Sequence, residues 1–255
     1  MKVFLINLDK DVERLAAADA QFRAVGVEYE RFSAVYVKYW SRAEKNRHVN
    51  RFRWWCATGR PPRDGEIGCA LSHYTLFRRM VAENIPIACM IEDDVVLDSR
   101  MKRVLEEVER SYPKGVPFVG LLSNHSDPVG QNPEVGDCGF TTPEDVSEFL
   151  LKRETWDQCT EGYVVSLEGA KALLRANYPL ITPCDIWPRW CRQGNIELYH
   201  VFPTVCSQNK DNFNSTVAVN GIWVKDMSVM RLVFYRVGRL IGRSLDRVMV
   251  RFKGF

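Results

Sequence analysis

The sequence predicts an α/β domain built on a mainly parallel sheet flanked by helices. Three observations carry this. Val3-Phe4-Leu5-Ile6 and Ile87-Ala88-Cys89-Met90-Ile91 are unbroken apolar runs, helix-favouring segments alternate with them, and no apolar stretch approaches membrane-spanning length. Strands covered on both faces read as continuous apolar runs. Alternation with helices implies parallel pairing, with ligands bound beyond the carboxyl ends of the strands.

Taken in order, Val3–Ile6 is the first strand, and Leu8 to Asp11 turn out of it. Glu13 to Val25 favour helix, with Gly26 as C-cap. Tyr29 to Val35 supply a second strand. Residues 38–64 are basic and aromatic (Lys38, Arg42, Lys45, Arg47, Arg51, Arg53, Trp54, Trp55), end in Gly59-Arg60-Pro61-Pro62, and read as an irregular insertion. Basic residues interleaved with Trp can stack on and neutralise a nucleic acid. The plainer reading is an acceptor-side loop or lid, since no nucleic-acid-binding motif accompanies them.

Gly65-Glu66-Ile67-Gly68 opens a helix to about Ala82, with Ala70, Leu71, Tyr74, Phe77 and Val81 at helical spacing. Asn84-Ile85-Pro86 stops it, and the strand Ile87–Ile91 delivers Glu92-Asp93-Asp94 to its C-terminal end. Val116 to Leu122 is the next strand, before a Gly/Pro/Asn/Asp-rich loop. Tyr163 to Ser166 form a strand that enters the helix Leu167–Asn177. A Pro-bounded loop, Ile181 to Trp190, and a last strand, Leu198 to Val205, follow. Residues 1–225 thus form one domain and 226–255 a separate C-terminal helix.

Composition bounds the function. With 46% hydrophobic residues in 255 there is material for a buried core. The N-terminus reaches charge too soon for a signal peptide, so a cytosolic protein is expected. Eight cysteines without a C-x-x-C pair argue against a disulfide framework, and spacing offers no support for a zinc site. The net charge of +3 is uneven: residues 227–255 carry seven Lys/Arg against one acid. There Met230, Val233, Val237, Leu240, Ile241, Leu245, Val248, Met249 and Phe252 form one stripe, with Arg236, Arg239, Arg243, Arg247 and Arg251 opposite. A basic amphipathic helix suits an anionic membrane surface. A core-packing helix or a dimer seam is the alternative.

Three consecutive carboxylates after a buried strand repel one another, and protons or a cation must relieve this. Mg²⁺ or Mn²⁺ shared with phosphates would do so. A solvated acidic turn is the competing reading.

The chain resembles glycosyltransferase family 25, the group that includes bacterial lipooligosaccharide galactosyltransferases and the collagen galactosyltransferases. The segments that carry the likeness are Ile6-Asn7-Leu8-Asp9 with Glu13-Arg14, Gly65-Glu66-Ile67-Gly68-Cys69-Ala70-Leu71-Ser72-His73 and Ile91-Glu92-Asp93-Asp94-Val95. Gly162-Tyr163-Val164-Val165-Ser166, Pro183-Cys184-Asp185 and Phe202-Pro203-Thr204 with Gln208 continue it, in order, over roughly residues 2–210. The resemblance implies a GT-A-like Rossmann-type fold, a UDP-sugar donor and inversion at the anomeric carbon. It also implies a D-x-D-like element holding Mn²⁺ or Mg²⁺ against the diphosphate, here Glu92-Asp93-Asp94, with Asp94 the preferred ligand and Asp93 next.

An inverting transfer needs a base for the acceptor hydroxyl. Asp185 is the candidate, by analogy with related GT-A enzymes, and a loop Asp satisfying backbone N–H groups is its ordinary alternative. Glu161 is the fallback, at a position where many relatives carry a small residue. Asn7, Leu8 and Arg14 follow the first strand, where GT-A folds cradle the nucleotide, and Ser72, His73, Glu92 and Asp93 join them as donor-side candidates. Adjacent helical residues point about 100° apart, so Ser72 and His73 cannot form a hydrolase triad. His200 is a further metal candidate; Trp187 and Trp190 are candidates for stacking on an acceptor sugar or are core aromatics.

The expected function is transfer of a sugar, with galactose favoured, from a UDP-sugar to an oligosaccharide or lipid-linked glycan acceptor, without nucleic-acid binding, at the cytoplasmic face of the inner membrane. The rivals are a basic nucleic-acid-binding protein and a metal-dependent phosphohydrolase using the triplet.

Overall fold

The computed structural model describes residues 1–123, 151–153, 160–201, 204–209 and 237. Apart from Val237, the C-terminal stripe lies outside the described residues. So does most of the loop expected after the Val116–Leu122 strand.

β1 (Lys2–Asn7), β2 (Glu30–Ser33), β3 (Ile87–Glu92), β5 (Phe118–Leu121), β6 (Leu151–Arg153), β7 (Gly162–Ser166) and β8 (Glu197–Val201) form one sheet in the order β2-β1-β3-β7-β5-β8-β6. β1 pairs in parallel with β2 and β3, and β5 with β8; β7 is antiparallel to both β3 and β5, and β6 to β8. β1, β2, β3, β5 and β8 therefore share one direction, and the sheet is mixed but mostly parallel. β4 (Val95–Leu97) and β9 (Cys206–Gln208) make a small antiparallel pair just beyond the end of β3.

Helices cover both faces. α1 (Val12–Val25) and α5 (Met101–Ser111) pack Phe22, Val104, Leu105 and Val108 against Val3, Leu5, Cys89 and Ile91. On the other face α4 (Asp64–Ala82), α6 (Leu167–Asn177) and α7 (Trp187–Gly194) pack against Phe4, Ile6, Met90, Tyr163 and Leu198. Alternate residues of β1 and β3 thus serve opposite cores, which is why these strands read as unbroken apolar runs. Gly26 ends α1 in the left-handed conformation, as its position after Val25 predicts.

The segment 38–64 departs from expectation. It holds two short helices, α2 (Arg42–His48) and α3 (Arg51–Thr58), rather than irregular chain. Local capping accounts for them. Ser41 and Glu44 form a capping box, and the Asn50 side chain accepts from the Arg53 N–H. Trp54 is fully buried in the α4 core, so it offers no face to a nucleic-acid base, and Lys45 is paired with Asp64 at 2.8 Å.

Two close approaches seat the functional end. Gly68 lets α4 meet the chain after β2: a Cβ there would lie 2.6 Å from the Val35 carbonyl oxygen. The Ser72 hydroxyl donates to the Gly68 carbonyl at 2.8 Å and accepts from the Val35 N–H at 2.8 Å.

Candidate active site

The acidic run lies where β3 ends and turns into β4. The end of the strand divides it, Glu92 closing β3 and Asp93 and Asp94 forming the turn that follows. Glu92 faces α4, whereas Asp93 and Asp94 meet Arg14 of α1. Asp93 is saturated: Asn7 Nδ2 donates to its Oδ2 at 2.7 Å and Arg14 Nη1 to its Oδ1 at 3.0 Å. Asn7 is itself oriented, donating to the Asp11 carbonyl and accepting from Arg31 Nε. Burial raises the Asp93 carboxyl, against the opposing effect of Asn7 and Arg14. Leu8 sits half-buried in the turn between these groups, its carbonyl accepting from the Asp11 N–H.

Asp94 differs. Its Oδ2 accepts from Gln208 Nε2 at 3.3 Å and lies 3.5 Å from Arg14 Nη1, while its Oδ1 is buried with no hydrogen-bond partner. Burial pushes this carboxyl up to about 6, with the Glu92 charge adding to the rise and Arg14 opposing it. A buried carboxylate oxygen without a donor is costly unless a proton or cation meets it. Asp94 Oδ1 is therefore the oxygen of the run left open to a proton or a cation, whereas both oxygens of Asp93 are engaged by protein.

Glu92 belongs to a second network. Its Oε1 lies 3.3 Å from His73 Nε2, and His73 Nδ1 lies 2.7 Å from the Tyr163 hydroxyl. Burial works to lower His73, but hydrogen bonds with Cys69 and Glu92 prevail and carry it to about 9. Burial likewise works to raise Glu92, but the His73 hydrogen bond and charge bring it below its ordinary value. Beside them Cys69 Sγ and Cys184 Sγ are 3.5 Å apart.

Asp185 lies in the loop between α6 and α7. Asn177, at the end of α6, ties the loop by accepting from the N–H groups of Ile181 and Thr182, and backbone bonds link Leu180 to His48 and Asn50. Segment 38–64 therefore borders the Asp185 loop. Asp185 Oδ1 is buried without a partner. Burial pushes the carboxyl up to about 6, against a backbone hydrogen bond, and the charges of Glu92, Glu66 and Glu161 add to the rise. Arg60 grips Glu66 with two guanidinium nitrogens. Glu161 precedes β7; its carbonyl accepts from the Glu92 N–H at 2.9 Å and its Oε2 from the Ser123 hydroxyl at 3.1 Å.

The structure thus gathers Asn7, Arg14, Asp93, Asp94, Glu92, Glu161 and Asp185 at one end of the sheet. Other candidates it places elsewhere. Ser72 is wholly buried and spends its hydroxyl on Gly68 and Val35, so it does not face a donor. His73 is also buried and reaches the site only through Glu92. Trp187 and Trp190 are core side chains, Trp187 edge-on to Tyr163 at 5.1 Å, and present no platform to an acceptor sugar. His200 is buried on β8, three strands from β3 and so about 14 Å across the sheet; it does not join Asp94. For Ser72, His73 and His200, apolar neighbours in sequence were the signal for burial. Sequence reasoning missed Arg60 beside Glu66, Arg31 on Asn7, and the meeting of Cys69 with Cys184, since no local spacing announces such partners.

Comparison with known proteins identifies the family. The family model for glycosyltransferase family 25 (LPS biosynthesis protein) matches residues 1–134. A glycosyltransferase 25 family member of Anopheles gambiae is 32% identical over 180 residues, covering 68% of this chain and 28% of the relative. The lacto-N-neotetraose biosynthesis glycosyltransferase LgtE of Neisseria meningitidis is 25% identical over 217 residues, covering 82% and 74%. Procollagen galactosyltransferase 1-A of Xenopus laevis is 26% identical over 193 residues, covering 71% and 29%. The chain therefore spans under a third of the animal relatives and about three quarters of the bacterial one. With more than half of its residues matched by the family model, the chain belongs to glycosyltransferase family 25.

Proposed function

We propose that this chain is an inverting, metal-assisted glycosyltransferase that moves a hexose, galactose by preference, from a UDP-sugar to an oligosaccharide or lipid-linked glycan. The observation that carries the reading is a pair of buried, unpartnered carboxylate oxygens, Asp94 Oδ1 and Asp185 Oδ1, in two carboxyls that both feel the charge of Glu92. Direct displacement of a nucleotide needs both a cation for the leaving group and a base for the acceptor hydroxyl.

Asp94 would hold Mn²⁺ or Mg²⁺, which supplies charge neutralisation as the diphosphate departs. Arg14 and Asn7 keep Asp93 in place and orient Asp94 beside it. Asp185, with its carboxyl at about 6, is ionised near neutrality yet basic enough to take a hydroxyl proton. Names among the relatives support the sugar: a procollagen galactosyltransferase and a lacto-N-neotetraose biosynthesis enzyme. For the location, no helix among the described residues is long and apolar enough to cross a membrane, and the basic stripe 230–252 would dock on the anionic cytoplasmic face of the inner membrane.

Thermal shift against UDP with and without Mn²⁺, followed by UDP release on adding galactosyl acceptors, tests the reading. Wild type should be stabilised by UDP with Mn²⁺. Asp94→Asn should lose that stabilisation; Asp185→Asn should keep it while turnover falls about 100-fold or more. A wild-type protein indifferent to UDP and Mn²⁺ overturns the proposal, as does full turnover in Asp185→Asn.

A further inference from the structure

We propose that Cys69, His73, Cys184 and Glu92 form a binding site for a zinc ion, separate from the donor cation at Asp94. Among the described residues, Cys69, His73 and Cys184 are the group of His, Cys and acidic side chains whose ligand atoms converge, all within 4.8 Å of one another. The sulfurs are 3.5 Å apart, His73 Nε2 is 3.3 Å from Glu92 Oε1, and Cys69 Sγ is 3.9 Å from the same oxygen. With zinc–sulfur bonds of about 2.3 Å and zinc–nitrogen or zinc–oxygen bonds of about 2.0–2.2 Å, the edges of a tetrahedral site are roughly 3.3–3.8 Å. These three separations fall on or beside those edges.

The supporting chemistry is also in place. Cys69 and His73 are four residues apart on α4 and so share one helix face. The Tyr163 hydroxyl, fully buried, sits 2.7 Å from His73 Nδ1 and can hold the proton there, leaving the Nε2 lone pair facing the thiols. Two thiolates with an imidazole select zinc over magnesium or manganese, which prefer all-oxygen sites. Binding releases both thiol protons and leaves His73 neutral with its remaining proton on Nδ1. Cys184 immediately precedes Asp185, so zinc would tie the loop that carries Asp185 to α4 and to the end of β3. Cys69 and Cys184 are 115 residues apart, which is why sequence spacing gave no sign of the site.

The test uses the full chain, purified reduced and without chelators. Zinc content by mass spectrometry should be one per chain in wild type and in Asp94→Ala, and should vanish in Cys184→Ala. Replacement by Co²⁺ should produce a thiolate-to-cobalt charge-transfer band, absent from Cys184→Ala. Tyr163→Phe should bind cobalt about 10–100-fold more weakly. Far-ultraviolet circular dichroism checks that each variant folds, and the wild-type measurements stand without any variant. A wild type that takes up no zinc or cobalt overturns the proposal, as does a Cys69–Cys184 disulfide in the reduced preparation or an unchanged cobalt band in Cys184→Ala. Retention of zinc in Asp94→Ala keeps the outcome independent of the donor site.

Discussion

Asp93 and Asp94 are adjacent carboxylates that the fold gives different work. Asp93 is held by Asn7 and by Arg14, a pair whose side chains are both largely buried. Asp93→Asn weakens the bonds from Asn7 and Arg14, while Arg14 keeps Asp94 at 3.5 Å, and should cost about 1 kcal/mol in urea unfolding. Asp94→Asn removes an oxygen that no protein group satisfies and should leave stability unchanged or improved at neutral pH, while Mn²⁺ affinity collapses. The sign follows from the carboxyl's rise to about 6 from an ordinary 3.8. The folded chain keeps a proton that the unfolded chain gives up, so this group's contribution is most favourable below about pH 4 and declines as pH rises through 6. In metal-free buffer, stability measured at pH 5 and pH 7 should fall more in wild type than in Asp94→Asn. Proton competition should make Mn²⁺ affinity climb until about pH 6 and level off above it. An affinity independent of pH between 5 and 7 contradicts the assignment.

At the scale of elements, β7 decides where Asp185 goes. In an all-parallel sheet, the loop after a strand and its helix returns to the amino ends of the strands, away from ligands. β7 runs antiparallel to β3, with Gly162 opposite Ile91, so its start lies at the ligand end and α6 carries the chain back there. Strand and helix were both legible in sequence, as Gly162–Ser166 and Leu167–Asn177, but their direction was not, because direction is set by pairing partners. The seat of α4 makes a prediction at the same scale. Gly68→Ala forces a methyl against the Val35 carbonyl and should cost about 1–3 kcal/mol, read as a lower Tm. Ser72→Ala strands the Val35 N–H and should cost a similar amount, about 1–3 kcal/mol. Its apparent KM for donor should stay near that of wild type, which separates a structural Ser72 from a donor-binding one.

Over the whole molecule, the mildly acidic body carries the candidate site and the basic stripe 230–252 lies at the other end of the chain. If the stripe docks on membrane, the protein should sediment with vesicles containing anionic phosphatidylglycerol and not with purely zwitterionic ones. Arg239→Glu, Arg243→Glu and Arg247→Glu together should abolish that binding, at about 1 kcal/mol per charge removed, without altering UDP-dependent stabilisation. Equal binding to both vesicle types would contradict it. The α/β class, the ends of α1, α4 and α6, and the position of Glu92-Asp93-Asp94 after a buried strand were determined by the sequence alone. Apolar periodicity and strand runs are local properties, and a chain repeats them wherever it folds. The tertiary structure decided which carboxylate keeps an unsatisfied oxygen, that Trp187 and Trp190 are core, that His200 stands apart from Asp94, and that Cys69 meets Cys184. These depend on strand order, strand direction and the cost of burying each polar atom, which arise only when distant segments are brought together.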